Sequence, residues 1–537
     1  MTFDTVSYFN GDYSLPDDNG GVYLDVCGYF DLIATSGGEE IASTMMKISP
    51  YDQFSTMNDI YNQLDEMVDE AKPLNNFYLE KFSMGTSSAG YDMPYLILSD
   101  AKSSVDNWKE YVDFAITTPT AALEAIANGK YNDIRIPIMM SNVHPDETSA
   151  VDGMMSFTWK IIEAVKNGTP TLTYKILTGF TPEGEAQLQL DIEKNNIAMP
   201  ELVEDYATRL GYIYADNFNP ETGIHYSGVV DLEKYYTTET VSVNIADLLS
   251  NVFFIITPEQ NVDGRTYLTR TSAMGLDLNR DNSAQILSET QNIQHLIGQY
   301  NPLVLTEMHG RVNNFQCEPC DPPHEPNFEY DLLAKYAMLS GEAFGIAAIA
   351  NNDDYNSFVI AQRDYLQYLD DGSTYWAEPW DDMYTSYTPQ FAMLHGTIGY
   401  TMELPAYSDS TADATLYGLL GQANYLASEK IGLLTNQAKI WERGATNANS
   451  NAYELVGQWH SDQYDAEGAE ADMFRPIYDG EGENQNFYPE CYIIPMDSEN
   501  QNNLANAYEM MEWFARNDVK IKLTEKEITI DGTTYPK

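Results

Sequence analysis

Four apolar runs of strand length in this chain each stop at, or just short of, a residue that can do chemistry. Residues 133–140, Asp-Ile-Arg-Ile-Pro-Ile-Met-Met, end just before His144. Val252-Phe-Phe-Ile-Ile256 leads into Asn261-Val-Asp-Gly264, residues 302–308 end at His309, and Ile398-Gly-Tyr-Thr-Met402 ends at Glu403. Helical periodicity separates the runs, at 150–166, where Asn167-Gly168 stops it, and at 284–299. Strands that alternate with helices argue for a mixed or parallel sheet covered on both faces. Open sheets of that kind place their sites just beyond the strand ends.

The rest of the chain divides by texture. Residues 51–73 are amphipathic, with Met57, Ile60, Tyr61, Leu64 and Met67 at helical spacing, and 94–99 reads as a strand. Residues 177–248 are polar and aromatic-rich and read as an insertion able to shape a pocket rim. Residues 343–350 read as a further strand, and 411–427 and 429–442 as helices. The main domain is expected over 51–444, preceded by an accessory segment at 1–50. Residues 445–485, rich in Asn, Gly, Asp and Glu, read as linker. A small C-terminal α/β unit is expected over 486–537, with a strand opening at 491, a helix at 503–516, a strand at 518–523 and a hairpin turning at Asp531-Gly532.

Charge excludes several functions. The chain carries 28 basic and 82 acidic residues, a formal −54. Such a surface repels nucleic acid and anionic lipid and suits a heavily solvated protein. It favours cationic over polyanionic substrates. Apolar residues make up 43%, enough for a sizeable core, yet no stretch reaches the ~20 apolar residues of a membrane helix. The N-terminus shows no basic region followed by an apolar one, so the protein is expected to be cytosolic or to lack its leader in this sequence. Four cysteines in 537 residues are no disulfide framework. Cys317-Glu-Pro-Cys320, with His324 nearby, admits a loop disulfide, two inert thiols or a minor metal site.

The constellation at the strand ends is informative only as a set. With seven histidines and 82 acidic residues in 537, about one His-x-x-acid is expected by chance, so His144-Pro-Asp-Glu147 alone says little. Two ligands three residues apart after a strand can nevertheless converge on one ion, and His309 at another strand end offers a third. Catalytic zinc takes such nitrogen and oxygen ligands and keeps a position open for water. Asp277-Leu-Asn279-Arg280 places a planar guanidinium beside an amide, which suits a carboxylate, although a surface ion pair explains an arginine in so acidic a chain equally well. Glu403 at the end of a buried strand is either a salt-bridged structural residue or a base for metal-assisted hydrolysis.

In this order, His-x-x-Glu, Asn-x-Asp-Gly, Asp-Leu-Asn-Arg, a strand-end His and Glu-Leu-Pro resemble the zinc carboxypeptidase family, the carboxypeptidase A-like metallopeptidases. The resemblance spans roughly residues 50–430 and includes Ser288-Glu-Thr-Gln291 at the start of a helix. It implies an α/β/α sandwich around a mixed, mostly parallel sheet of about eight strands. It implies one Zn2+ per chain held by His144, Glu147 and His309, with Asp277 orienting His144. Asn279 and Arg280 would hold a substrate's terminal carboxylate. Arg270, which precedes Gly275 and Asp277 as in bacterial members, would polarise the scissile carbonyl. Glu403 would be the general base and then the general acid.

The chain also departs from the family. Animal digestive members carry an arginine where this chain has Asp146, so that contact is not carried over. Their substrate-covering tyrosine has two counterparts here, Tyr384 and Tyr387, of which Tyr387 is favoured, with a packed aromatic as the alternative. The Gly-Gly loop of their specificity pocket has no clear equivalent. The resemblance implies peptide substrates with a free C-terminal carboxylate and a location outside the cell or at its surface. Two other functions share the same residues: an amidase acting on cell-wall peptides or amino-acid conjugates, and a catalytically inactive peptide-binding module.

Overall fold

The computed structural model describes residues 27–195, 231–310, 329–360 (save 353 and 356), 385–446 (save 406) and 491–537, with short pieces between. A hairpin comes first, β1 Gly28–Ser36 and β2 Glu39–Ile48. Helix α1, Met57–Ala71, starts at a capping box in which Thr56 and Asp59 exchange backbone bonds, and it buries Met57, Ile60, Leu64 and Met67. Strands β3 Tyr78–Thr86 and β4 Asp92–Ser99 lead to helices α2 Lys102–Thr117 and α3 Pro119–Ala127. Next come β5 Ile136–Asn142, α4 Ser149–Lys166, β6 Thr171–Phe180, α5 Pro182–Asn195, β7 Tyr236–Asn244 and β8 Val252–Thr257. The short α6 Val262–Tyr267 precedes α7 Ser288–Tyr300, β9 Val304–Gly310, β10 Phe315–Pro319, α8 Tyr330–Ala350 and β11 Phe358–Val359. Helix α9 Thr388–Met393, β12 Ile398–Leu404, α10 Asp409–Ser428 and α11 Lys430–Thr446 complete the main body. Helix α12 Leu504–Arg516 and the hairpin β13 Ile528–Ile530 with β14 Thr533–Tyr535 end the chain.

Eight strands form one mixed sheet in the order β11-β10-β12-β9-β5-β8-β4-β3. Its centre, β12-β9-β5-β8, is parallel throughout, and β4 and β10 run antiparallel to it on either side. Central strands must be apolar on both faces, and Val252 to Ile256 are all fully buried. Each such side chain stabilises the fold by about 1.5–3 kcal/mol relative to exposure. Helices α4, α8 and α10 pack as one layer, and α2, α3, α7 and α11 as another. This is the sandwich the alternating pattern implies. β6 and β7 pair antiparallel as a separate ribbon, and the stretch expected as an insertion begins inside that ribbon.

Three expected strands are absent. Where one was expected to open the C-terminal unit at 491, the chain is irregular as far as α12. Residues 343–350 are the C-terminal half of α8. An apolar run this short fits a buried helix as well as a strand, and its small residues serve close helix packing: a Cβ on Gly421 of α10 would sit 2.6 Å from the Ala343 carbonyl oxygen. By length and composition residues 331–350 could also cross a membrane, but the helix is largely buried within the protein, with Ala337, Met338, Phe344 and Ala347 fully enclosed. Residues 518–523 alternate Val519, Ile521 and Leu523 as a strand would, yet no strand among the described residues pairs them and these side chains are exposed. Most of the expected linker at 445–485 lies outside the described residues.

Candidate metal centre

Strand β5 ends at Asn142, and the chain turns sharply: the Glu147 amide donates to the His144 carbonyl at 3.0 Å. The turn sets both side chains on one side. His144 Nδ1 lies 2.9 Å from Glu147 Oε2. Strand β9, parallel to β5 and beside it, brings in His309, whose Nδ1 lies 3.1 Å from both His144 Nδ1 and Glu147 Oε2. All three residues are buried, and their ligand atoms lie within 4.8 Å of one another.

Each imidazole is fixed from behind. His144 Nε2 meets Asp277 Oδ1 at 3.1 Å, and His309 Nε2 meets Glu307 Oε2 at 3.0 Å. A ring N–H given to a carboxylate leaves the other nitrogen with its lone pair. Two Nδ1 lone pairs and a carboxylate oxygen therefore face one point, an arrangement that repels itself unless a proton or a cation lies between. The donor set and the carboxylate behind each ring fit a divalent metal of the zinc type. In the protein alone, burial lowers the His144 and His309 pKa values, but the surrounding carboxylates outweigh it and both shift upward. Burial raises the Glu147 value, but the two imidazoles outweigh it and hold the carboxyl well below its usual range.

Glu307 was not foreseen as part of the centre. It is fully buried, and its Oε1 accepts from Gln260 Nε2 at 2.5 Å, which also donates to Ser141 Oγ at 2.7 Å. The signal was present: on a strand, positions i and i+2 share a face, so Glu-x-His309 puts a carboxylate beside the ligand ring. Arg265 was missed too. Fully buried, it donates to the Ser55 carbonyl through Nε (3.1 Å) and Nη2 (2.6 Å), and through Nη1 to the Pro145 carbonyl (3.1 Å), fastening the His144–Glu147 turn. Nothing in the sequence marks that arginine as buried.

The Asn261-Val-Asp-Gly264 motif supports the same turn. Asn261 caps α6 by accepting from the Gly264 amide at 2.9 Å and donates to the Arg270 carbonyl at 2.9 Å. A Cβ on Gly264 would lie 2.6 Å from Pro145 Cγ and 2.5 Å from the Thr269 carbonyl oxygen, so only glycine fits. Asp263 holds the β3–β4 turn through Ser87 and the Ala89 amide.

Arg270 reaches Glu147 Oε1 at 2.9 Å through Nη1 and Asp277 Oδ2 at 3.2 Å through Nε. Burial disfavours its charge, but the carboxylates outweigh this and raise its pKa; burial likewise opposes ionisation of Asp277, while His144 and Arg270 draw that carboxyl far down. Asp277 Oδ1 also accepts the Asn279 amide at 2.8 Å. Asn279 Oδ1 accepts from the Thr388 amide at 2.8 Å, which turns the Asn279 NH2 donors the other way. The exposed Arg280 carries its guanidinium 4.3 Å from the centre of the Tyr387 ring. Glu403 on β12 is the register partner of His309, so the two side chains share a face of the sheet, with Gln316 of β10 on its other side. The sequence-expected residues are thus joined as one network around Asp277, with Glu403 tied in by register. Tyr384, Cys320 and His324 lie outside the described residues.

No protein-family model matches the sequence, and no curated protein matches it. Solved structures with a similar course of chain include a metallo-carboxypeptidase from Burkholderia cenocepacia, 12% identical, TM-score 0.40, covering 76% of this chain and 82% of that one. A metallo-carboxypeptidase from Pseudomonas aeruginosa in complex with (2-guanidinoethylmercapto)succinic acid is 13% identical, TM-score 0.37, covering 77% and 84%. A carboxypeptidase A from Helicoverpa armigera is 13% identical, TM-score 0.34, covering 73% and 77%. Likenesses at this level assign no residue, and the roles considered below rest on the geometry of this chain.

Proposed function

We propose that the chain is a zinc-dependent metallocarboxypeptidase of the bacterial type, hydrolysing the C-terminal peptide bond of peptides that carry a free carboxylate. The observation that carries this reading is the convergence of His144, Glu147 and His309, with a carboxylate behind each ring, half-buried at Asp277 and fully buried at Glu307. When bound, zinc supplies Lewis acidity toward a carbonyl oxygen and toward water. His144, Glu147 and His309 hold it, while Asp277 and Glu307 fix the two rings. Arg280 and the Asn279 amide receive the substrate's terminal carboxylate, for which a planar guanidinium is suited. Two of the five N–H donors of Arg270 are engaged with Glu147 and Asp277, which leaves three to meet the charge that develops on the scissile carbonyl oxygen. Glu403 takes a proton from the attacking water and passes it to the departing nitrogen as the C–O bond forms and the C–N bond breaks. Tyr387, beside Arg280, closes the substrate end of the wall. The strongly acidic surface suits action outside the cell or at its surface.

The test is a mixed library of peptides incubated with the zinc-loaded protein and followed by mass spectrometry, with Glu403→Gln protein and C-terminally amidated peptides alongside. The expected result is loss of single C-terminal residues, only from free-carboxylate peptides and only with Glu403 intact. No cleavage despite one bound zinc per chain would overturn the reading.

A further inference from the structure

The C-terminal unit touches the two segments that build the wall around Asn279 and Arg280. One segment is the loop 281–287. The other is 385–391, which begins the run into α9. They are cross-linked: the Asn282 amide donates to the Ser386 carbonyl at 3.0 Å, Asn282 Nδ2 to the same oxygen at 2.9 Å, and Ser283 Oγ meets Thr385 Oγ1 at 2.9 Å. Helix α12 leans on both. Trp513 Nε1 donates to the Ser283 carbonyl at 3.0 Å, and its ring meets Phe391 edge-on, centroids 6.0 Å apart. At the helix end, Gln285 Nε2 donates to Asn517 Oδ1 at 3.0 Å, and Arg516 Nε donates to Gln285 Oε1 at 3.3 Å.

The grip falls where the loop is costliest to hold. Gln285 has φ +54°, a left-handed conformation that a residue with a side chain adopts at a cost of roughly 1–2 kcal/mol. A loop in that state persists only where its surroundings insist on it. The helix is otherwise a light fixture: Ala507 is its one buried side chain, and Tyr508 and Met510 are exposed. Its side-chain hydrogen bonds to the main body fall on Ser283 and Gln285 and its ring contact on Phe391, while its C-terminal end also packs against Gly298 of α7.

We propose that the C-terminal helix braces the wall that receives the substrate's carboxylate, with Trp513 and Asn517 as positioning residues. The brace acts through the loop that follows Asn279 and Arg280 and through the segment that carries Tyr387 and Thr388. It contributes to carboxylate binding and not to metal binding or to the chemical step. The functional half of this inference rests on the carboxypeptidase reading; the bracing half does not.

The test uses the full chain with Trp513→Ala, Asn517→Ala and, as a control on the same helix, Tyr508→Ala. Hydrogen exchange over 281–287 and 385–391 needs no substrate. The first two variants should lose protection there while the control keeps it. Against an N-acylated dipeptide with a free carboxylate, KM should rise roughly five- to thirty-fold in these two variants, the range expected for one lost hydrogen bond or aromatic contact. kcat and bound zinc should stay as in the parent. Unchanged exchange in both variants overturns the brace, as does a fall in kcat or zinc content equal to the rise in KM. Loss of protection in the two variants, together with a parent protein that cleaves no peptide, supports the brace and removes only the carboxypeptidase reading.

Discussion

The His144–Glu147–His309 cluster and the Asn279–Arg280–Tyr387 wall adjoin, yet they are held in place by different means. The cluster grows from strand ends. His309 sits within β9, in register with Glu403, and each ring has a carboxylate behind it. The wall contains no strand. Its loops are pinned by side chains: Asn279 to Thr388, Asn282 to Ser386, and α12 against both. Groups on sheet ends take their precision from strand register, while groups on loops need it supplied by neighbours. Damage to the cluster should therefore be close to all-or-none, and damage to the wall graded.

The largest effects fall on the cluster. His309→Ala should abolish stoichiometric zinc binding, measured by metal analysis of the desalted protein. Glu403→Gln should keep zinc and lower kcat by roughly 10²–10⁴-fold, the usual contribution of a general base. A Glu403→Gln protein that loses zinc instead would make Glu403 part of the cluster and blur the contrast. Arg265→Leu should cost about 3–5 kcal/mol in urea unfolding, since it leaves Asp152, 4.0 Å from the guanidinium, and two carbonyls buried without their cation. A loss under ~1 kcal/mol would show that the turn holds itself.

Smaller changes separate the two regions. Glu307→Gln should weaken zinc affinity by about 10–100-fold and leave KM unchanged once zinc is saturating. Asp277→Asn should weaken zinc to a similar degree and also raise KM, because it anchors the Asn279 amide. Equal effects of the two variants on KM would erase the distinction. The smallest effect lies behind the wall, at His395, half-buried after α9. Burial pushes its pKa down to about 4, with Asp518 pulling the other way. Between pH 4 and 6.5 the unfolded chain binds a proton that the folded chain refuses. Stability from this group is thus full above about pH 6.5 and falls, by on the order of 1–2 kcal/mol, as pH drops toward 4. Urea midpoints at pH 7.5 and 5 should differ less in His395→Gln than in the parent.

Legibility in the sequence follows the same division. The four strand-end residues could be read because an apolar run that stops at a polar group has few explanations. Helix α1 and the stop of α4 at Asn167-Gly168 were legible from periodicity and turn chemistry. The buried half of α8 was not, because its alanines and glycines carry no period. Arg265 and Thr388 were invisible, since burial of an arginine and backbone donation by a threonine depend on segments distant in the chain. The role of Gly264 was legible as a motif and unexplained until Pro145 was seen against it.

Asp277 gives three partners two oxygens: Oδ1 to His144 and the Asn279 amide, Oδ2 to Arg270. On the proposed reading, cation uptake and carboxylate capture share Asp277 and are expected to be coupled equilibria. A charge placed before His144 alters the hold of Asp277 on the loop that begins at Asn279, and reciprocity makes the influence equal in both directions. Whatever factor a bound cation adds to the affinity for a carboxylate, that carboxylate must add to the affinity for the cation.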